Sequence, residues 1–182
     1  KNKLIGIYGI EDDNELIRTK IKEIIGELED SKKNLYTDNC ILNSVLNIKY
    51  SAAQVADIKI ESNIFVPKYM NIDYGDMGVL FGNLLDNAIE ANQGVDRKKR
   101  WINVSVKYEE HILIINIKNS KIRGSRRKKK GYLNHGIGLN SVKQIVEKFN
   151  GIVEVQDFGE MYEVSAILYG ICDDKDLGKS VL

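Results

Sequence analysis

The sequence predicts an α+β fold, with helices on one face of an antiparallel or mixed sheet and a helical extension in front. Three observations carry this. Segments with apolar residues at helical spacing give way to segments of apolar–polar alternation. Their order along the chain is α-α-α-β-α-β-β-loop-α-β-β. Apolar residues make up 43% of the 182, enough to form a core, and a single proline leaves the elements uninterrupted.

The chain opens KNKLIGIYGI, amphipathic from its first residue and without a starting Met, and is expected to be a fragment cut within a helix. The acidic cluster Glu11-Asp12-Asp13 marks a hairpin between two helices. Asp12 is the expected N-cap, and Glu15 completes a capping box. Leu16, Ile17, Ile21, Ile24, Ile25 and Leu28 then share one face. A third helix is expected to be capped near Thr37 or Asp38, with Ile41, Val45, Ile48, Ala52 and Val55 as its apolar stripe. IKIESNIF (58–65) alternates like a strand, and 76–93 returns to helical spacing. WINVSVKY (101–108) and HILIINIK (111–118) alternate again, joined tightly at Glu109-Glu110. Residues 121–131 have no apolar period and read as a loop. A helix follows over 138–149, stopped by Asn150-Gly151. IVEVQD and MYEVSAILYG form a last strand pair around Phe158-Gly159.

Composition excludes several classes. The 27 basic and 26 acidic residues leave a net charge of +1, so no global field draws the protein to nucleic acid. No segment approaches the ~20 apolar residues of a membrane span, and no signal peptide opens the chain. Cys40 and Cys172 lie far apart, which excludes a disulfide framework and fits a reduced compartment. They are expected to be incidental buried thiols. With His111 and His135 they match no zinc pattern.

Three motifs carry chemistry. In FGNLLDNAIEA (81–91), Asn83 and Asn87 stand one helical turn apart on a shared face, with Leu84, Leu85, Ala88 and Ile89 able to pack below. Such a pair either edges solvent or serves a polar ligand. Among ligands, a Mg–nucleotide fits, because a hard cation takes amide, water and phosphate oxygens. In NHGIGLNSV (134–142), Gly136 and Gly138 stand just before a helix, where backbone can approach an anion closely. A plain glycine-rich helix entry has the same appearance. In INIKNS (115–120), a strand ends at Asn119-Ser120, where polar side chains can face a pocket.

In this order the three motifs resemble those of the GHKL ATPase superfamily, which includes sensor histidine kinases, Hsp90, and gyrase-type and mismatch-repair ATPases. The resemblance spans about residues 58–171 and implies a two-layer α/β sandwich, the Bergerat ATP-binding fold. ATP and Mg are the implied cofactors, held between helices and sheet under a mobile lid, here 121–134. By resemblance, Asn87 is the Mg ligand. Asn119 stands where the family has its adenine-binding Asp, with Ser120 beside it. Gly136 and Gly138, flanked by His135 and Leu139, open the helix that receives the phosphates.

ATP-hydrolysing members place a Glu general base four residues before the Mg-binding Asn. This chain has Asn83 there, in the catalytic position, and an amide cannot take a proton from water. Phosphoryl transfer to a separate acceptor is therefore favoured. KNKL resembles the tail of the HDxxNxL phosphoacceptor motif of peptide-pheromone (quorum-sensing) receptor kinases, with Asn2 and Leu4 as its Asn and Leu. LNSVLNIKYSAA (42–53) resembles the helix such kinases carry ahead of the ATP domain.

The implied organisation is a partial dimerisation and phosphoacceptor hairpin with a connecting helix over 1–56, the ATP-binding domain over 57–171, and a tail over 172–182. The implied enzyme is a protein-histidine kinase whose acceptor His lies upstream of Lys1, so that the fragment alone should not phosphorylate itself. The implied partners are ATP or ADP, a response regulator and a second copy in the full-length protein. The implied location is the cytoplasmic side of a membrane receptor.

Two departures weaken the match. The first glycine box, DxGxG in the family, reads Asn119-Ser120-Lys121-Ile122-Arg123, so modest ATP affinity is expected from a neutral acceptor. Glu90 lies in the region where many kinases carry a phosphate-facing Lys. The run Arg126-Arg127-Lys128-Lys129-Lys130 is either a solvated loop or the source of a replacement cation, Lys130 among the candidates. The alternative to a kinase is a nucleotide-gated or degenerate dimerising scaffold. A serine kinase of the anti-sigma type shares the fold.

Overall fold

The computed structural model describes residues 34–124 and 137–172. The helix expected over Asp12 to Leu28, most of the expected lid, and the tail from Asp173 lie outside the described residues.

Among its described residues, the compact unit that starts at Tyr36 contains three α-helices, one 3-10 turn (Arg97–Lys99) and one five-stranded sheet. In chain order the α-helices and strands are α1 (Cys40–Val55), β1 (Lys59–Phe65), α2 (Tyr74–Asn92), β2 (Trp101–Glu109), β3 (Ile112–Ser120), α3 (Ile137–Lys148), β4 (Ile152–Asp157) and β5 (Met161–Tyr169). The sheet order is β1-β2-β3-β5-β4. β1 runs parallel to β2, and the other pairs are antiparallel. Alternation puts Ile102, Val104 and Val106 of β2, Leu113, Ile115 and Ile117 of β3, and Val164, Ala166 and Leu168 of β5 on the buried face. Met77, Leu80, Phe81, Leu84, Leu85 and Ala88 of α2 and Val142, Ile145 and Val146 of α3 bury against that layer. This is the two-layer arrangement the sequence predicts.

Helix α1 begins later and faces differently than expected. Asn39, not Thr37 or Asp38, is the cap: its side chain accepts from Leu42 N at 3.0 Å. The buried stripe is Leu42, Leu46, Tyr50 and Ala53, one residue on from the expected one. Ile48 and Val55, expected inside, are 65% and 87% exposed. Both stripes are apolar at helical spacing, so periodicity alone cannot choose. The face with two leucines and a tyrosine offers more area to bury and turns inward. Cys40, expected to be buried, is exposed, and Cys172 is half-buried.

The β2–β3 connection is Glu110-His111 rather than Glu109-Glu110. Glu109 pairs with Ile112, and both turn residues have positive φ (47° and 66°), the geometry of a two-residue hairpin that follows strand twist. The stop after α3 is as expected. Asn150 takes φ 50°, and Gly151 N donates to Val146 O at 2.9 Å. A Cβ at Gly151 would lie 2.1 Å from Ile167 O, so the approach of α3 to β5 requires glycine there.

Three predictions follow from this packing. Gly151→Ala should destabilise by about 1–3 kcal/mol in urea melts, because the neighbour is backbone and cannot yield. Gly78→Ala, in α2 with nothing within 4 Å of the added Cβ, should be neutral or stabilising by up to about 1 kcal/mol. The third concerns Tyr50, whose hydroxyl is buried without a completed hydrogen bond. Burial pushes its pKa up to about 12, and Ser62 offsets this only in part. The unfolded chain releases that proton near pH 10 while the folded one holds it, so this residue costs stability as pH rises between about 10 and 12. Tyr50→Phe should therefore lose less stability than the parent between about pH 8 and pH 11 in parallel denaturant titrations.

Candidate functional site

Helix α2 carries the first two site residues. Asp73 caps it by accepting from Gly75 N at 2.8 Å, and Asp76 in the first turn suits the positive helix end. Its apolar residues are buried in the sheet layer, which leaves Asn83 and Asn87 half-buried on its flank, one turn apart. Gly138, in the first turn of α3, faces the first of them: a Cβ there would lie 3.1 Å from Asn83 Oδ1. Absence of that carbon lets the start of α3 come against the amide. The 81–91 motif and the described part of the 134–142 motif, 55 residues apart in sequence at these positions, thus meet in space. Leu139 is half-buried and packs against the core.

Asn119 stands on the sheet face that carries the core. It continues the buried series Leu113, Ile115, Ile117 and is 2% exposed, between Ile102 of β2 and Tyr162 of β5 in register. Its Nδ2 donates to Ser120 O at 2.9 Å. Ser120, expected to face a pocket, is 5% exposed, and its hydroxyl donates to Asn92 Oδ1. Asn92, at the end of α2 and fully buried, also accepts from Trp101 N at 3.2 Å and donates to Ala88 O at 2.9 Å and Trp101 O at 3.3 Å. One amide thereby joins the end of α2 to the start of β2 and the end of β3.

Ion pairs hold the helices. Lys49 Nζ lies 2.7 Å from both Asp86 oxygens, joining α1 to α2, and Lys148 pairs with Asp76 at 2.9 Å, joining α3 to α2. A cavity of about 320 Å³ opens between α1 and α2 and reaches Asn83, lined by Val45, Ile48, Lys49, Gly78, Gly82 and Asp86 besides. A second, of about 350 Å³, is lined by Lys59, Glu61 and residues 98–103 and shares no residue with the motifs. Near Asn119, Lys121 pairs with Asp157 and lies 5.8 Å from the Tyr162 ring centre. The Lys121 hydrogen bond first, then the Gly159 N–H, holds the Asp157 carboxyl below its usual pKa. Lys130, His135, Gly136 and the run 126–130 lie outside the described residues.

Sequence reasoning missed Asn92, Lys121, Tyr162 and Arg100. Arg100 donates to the carbonyls of Ala56, Gln93 and Val95, gathering the ends of α1 and α2. These roles depend on partners distant in sequence. Only Asn92 left a sign, as a polar residue on the apolar stripe of its helix.

This fold, with paired asparagines beside a glycine at a helix entry, defines the class. The GHKL domain model matches residues 72–168, and the chain belongs to that family, whose members bind ATP. It is 32% identical over 95 residues to a probable C4-dicarboxylate sensor kinase of Bacillus subtilis (strain 168), covering 47% of this chain and 18% of that one. The chain thus spans less than a fifth of that relative's length. Among solved structures it resembles the catalytic domain of histidine kinase ThkA, with a TM-score of 0.57 at 15% identity, covering 72% of this chain and 91% of that one. It also resembles Acinetobacter baumannii histidine kinase AdeS, with a TM-score of 0.56 at 14% identity, covering 93% and 86%. The fold is that of histidine kinase catalytic domains. No helix among the described residues is long and apolar enough to cross a membrane.

Removal of the buried clasp should be costly. Asn92→Ala should lose about 2–3 kcal/mol in denaturant melts, because Ser120 Oγ and two Trp101 backbone groups lose a buried partner. Lys49→Ala, whose partner Asp86 stays half-exposed, should lose no more than about 1 kcal/mol.

Proposed function

We propose that this chain contains the ATP-binding catalytic domain of a sensor histidine kinase, which transfers the γ-phosphoryl of ATP to a protein histidine. The observation that carries the reading is the meeting of Asn83 with Gly138: an amide-bearing helix flank and the entry of a second helix face one another. Helix entries present N–H groups suited to phosphate. Asn119, a polar side chain on an otherwise apolar sheet face, supplies an acceptor for the base.

A hard divalent cation fits the donor chemistry on α2, where two amide oxygens stand one turn apart, and Asn87 is the residue proposed to hold Mg. Bound there, the ion would offset phosphate charge. The chain's own residues do the rest. Asn119 orients the base, and the first turn of α3 receives the phosphates. Asn83, as an amide, leaves water without a general base, so transfer is favoured over hydrolysis. Catalysis is then mainly positioning and charge neutralisation.

The finer assignments belong to the same reading. The domain division at 56/57, the homodimer, the response-regulator partner, the cytoplasmic placement and the peptide-pheromone receptor type rest on the motif resemblances described above.

Calorimetric titration with Mg–ATP and Mg–ADP tests the proposal. Saturable binding is expected, weakened about tenfold or more by Asn87→Ala and by Asn119→Ala. No binding at about millimolar nucleotide would sink the kinase reading and favour a dimerising scaffold.

A further inference from the structure

We propose that the cavity at the open edge of the sheet docks an extended acidic segment of a protein partner. The inference stands apart from the nucleotide reading, because this cavity shares no residue with the motifs. β1 is the last strand of the sheet and has a neighbouring strand on one side only. Its Lys59 N donates to Arg100 O, on the β2 side, at 3.1 Å. Backbone groups alternate in direction along a strand, so those of Ile60, Ser62 and Ile64 face the open edge, where an extended chain can pair with them. Beside that edge lies the cavity of about 350 Å³. Lys59 and Glu61 of β1 stand in register with Trp101 and Asn103 of β2. All four leave the sheet on the face opposite the core, since buried Ile102 and half-buried Ile60 take the other side.

Charge and spent donors decide the class of ligand. The lining carries Lys59, Lys98, Lys99 and Arg100 against one carboxylate, Glu61. Lys98 and Lys99 are exposed, and neither has an ion-pair partner among the described residues. Phosphate is held best by free backbone N–H groups or an arginine fork. Neither is free in this turn. Lys98 N donates to Asp96 Oδ1, Lys99 N to Asp96 O and Arg100 N to Arg97 O. The Arg100 guanidinium is spent on the carbonyls of Val95, Ala56 and Gln93. What remains is ammonium groups on flexible stems, spread from the 3-10 turn to β1. Such separated point charges match carboxylates distributed along a chain. The Trp101 ring, half-buried at the cavity wall, offers apolar area to a side chain between two of those carboxylates.

Trp101 is the chain's single tryptophan, so its fluorescence reads this cavity directly. The test titrates the full chain, at constant ionic strength, with a short peptide of alternating Glu and Val blocked at both ends. A saturable change with a Kd of about 10–500 µM is expected. The same peptide with Gln for Glu should bind about tenfold more weakly or worse. Lys98→Glu combined with Lys99→Glu should weaken the acidic peptide by about tenfold or more and admit the peptide with Lys for Glu. Both turn lysines are exposed, so folding is not at stake. Lys143→Glu, a like charge change on an exposed position of α3, should shift the affinity by less than about twofold. Acidic-peptide binding that survives the Lys98→Glu/Lys99→Glu change overturns the inference. So does inorganic phosphate or oligothymidylate acting at lower concentration than the peptide, and so does a fluorescence that responds to no probe.

Discussion

Helix α2 has to satisfy two demands at once, and the rest of the unit is arranged around it. Its apolar face, Met77 to Ala88, is buried in the sheet layer, and close packing there fixes its rotation. That rotation leaves Asn83 and Asn87 half-buried one turn apart, with Asn83 against Gly138 of α3. Lys49 of α1 and Lys148 of α3 grip α2 from either side through Asp86 and Asp76. Asn92 then ties its last turn to the strands. A helix fixed in this way can present two amides to a ligand without paying again for their ordering when the ligand arrives.

The polar groups around the site are mostly neutral. Asn83, Asn87, Asn92, Asn119 and Ser120 are amides or a hydroxyl. Neutral groups can be buried at modest cost provided each finds a partner, whereas buried carboxylates need paired cations. The described part of the site therefore builds its order from hydrogen bonds. The charges nearby are paired, Lys121 with Asp157 and Lys49 with Asp86. This also gives the departure from the family's first glycine box a physical meaning. If Asn119 meets the base as proposed, a neutral amide in place of Asp would leave recognition there to hydrogen-bond geometry rather than to charge.

Much of the fold was legible because its signals are local. The alternation in β2, β3 and β5, the spacing in α2, and the Asn150-Gly151 stop each follow from neighbours within a few residues. The α1 stripe was misread because the helix is apolar on two adjacent faces, and only the sheet decides which one turns inward. The turn at Glu110-His111 was misplaced by one residue because the pair lacks the Gly or Asn that usually marks such a turn, and Glu rarely takes positive φ. At the site, Asn83, Asn87, Asn119 and Gly138 were visible as motif residues. Their mutual approach was not, because 55 residues separate Asn83 from Gly138 and no local pattern encodes the contact. The Asn92 clasp was invisible for the same reason: its partners sit on three elements.

The central claim is that the amide flank of α2, the entry of α3 and the end of β3 form one nucleotide site. The most direct test is to titrate isotope-labelled protein with Mn–ADP and follow backbone amide signals residue by residue. The account predicts paramagnetic broadening centred on Asn83, Asn87 and Gly138, with a diamagnetic Mg–ADP control shifting Asn119 and Tyr162. Broadening centred instead on the basic cavity at Lys59, Lys98 and Trp101, with α2 and α3 unaffected, would contradict it.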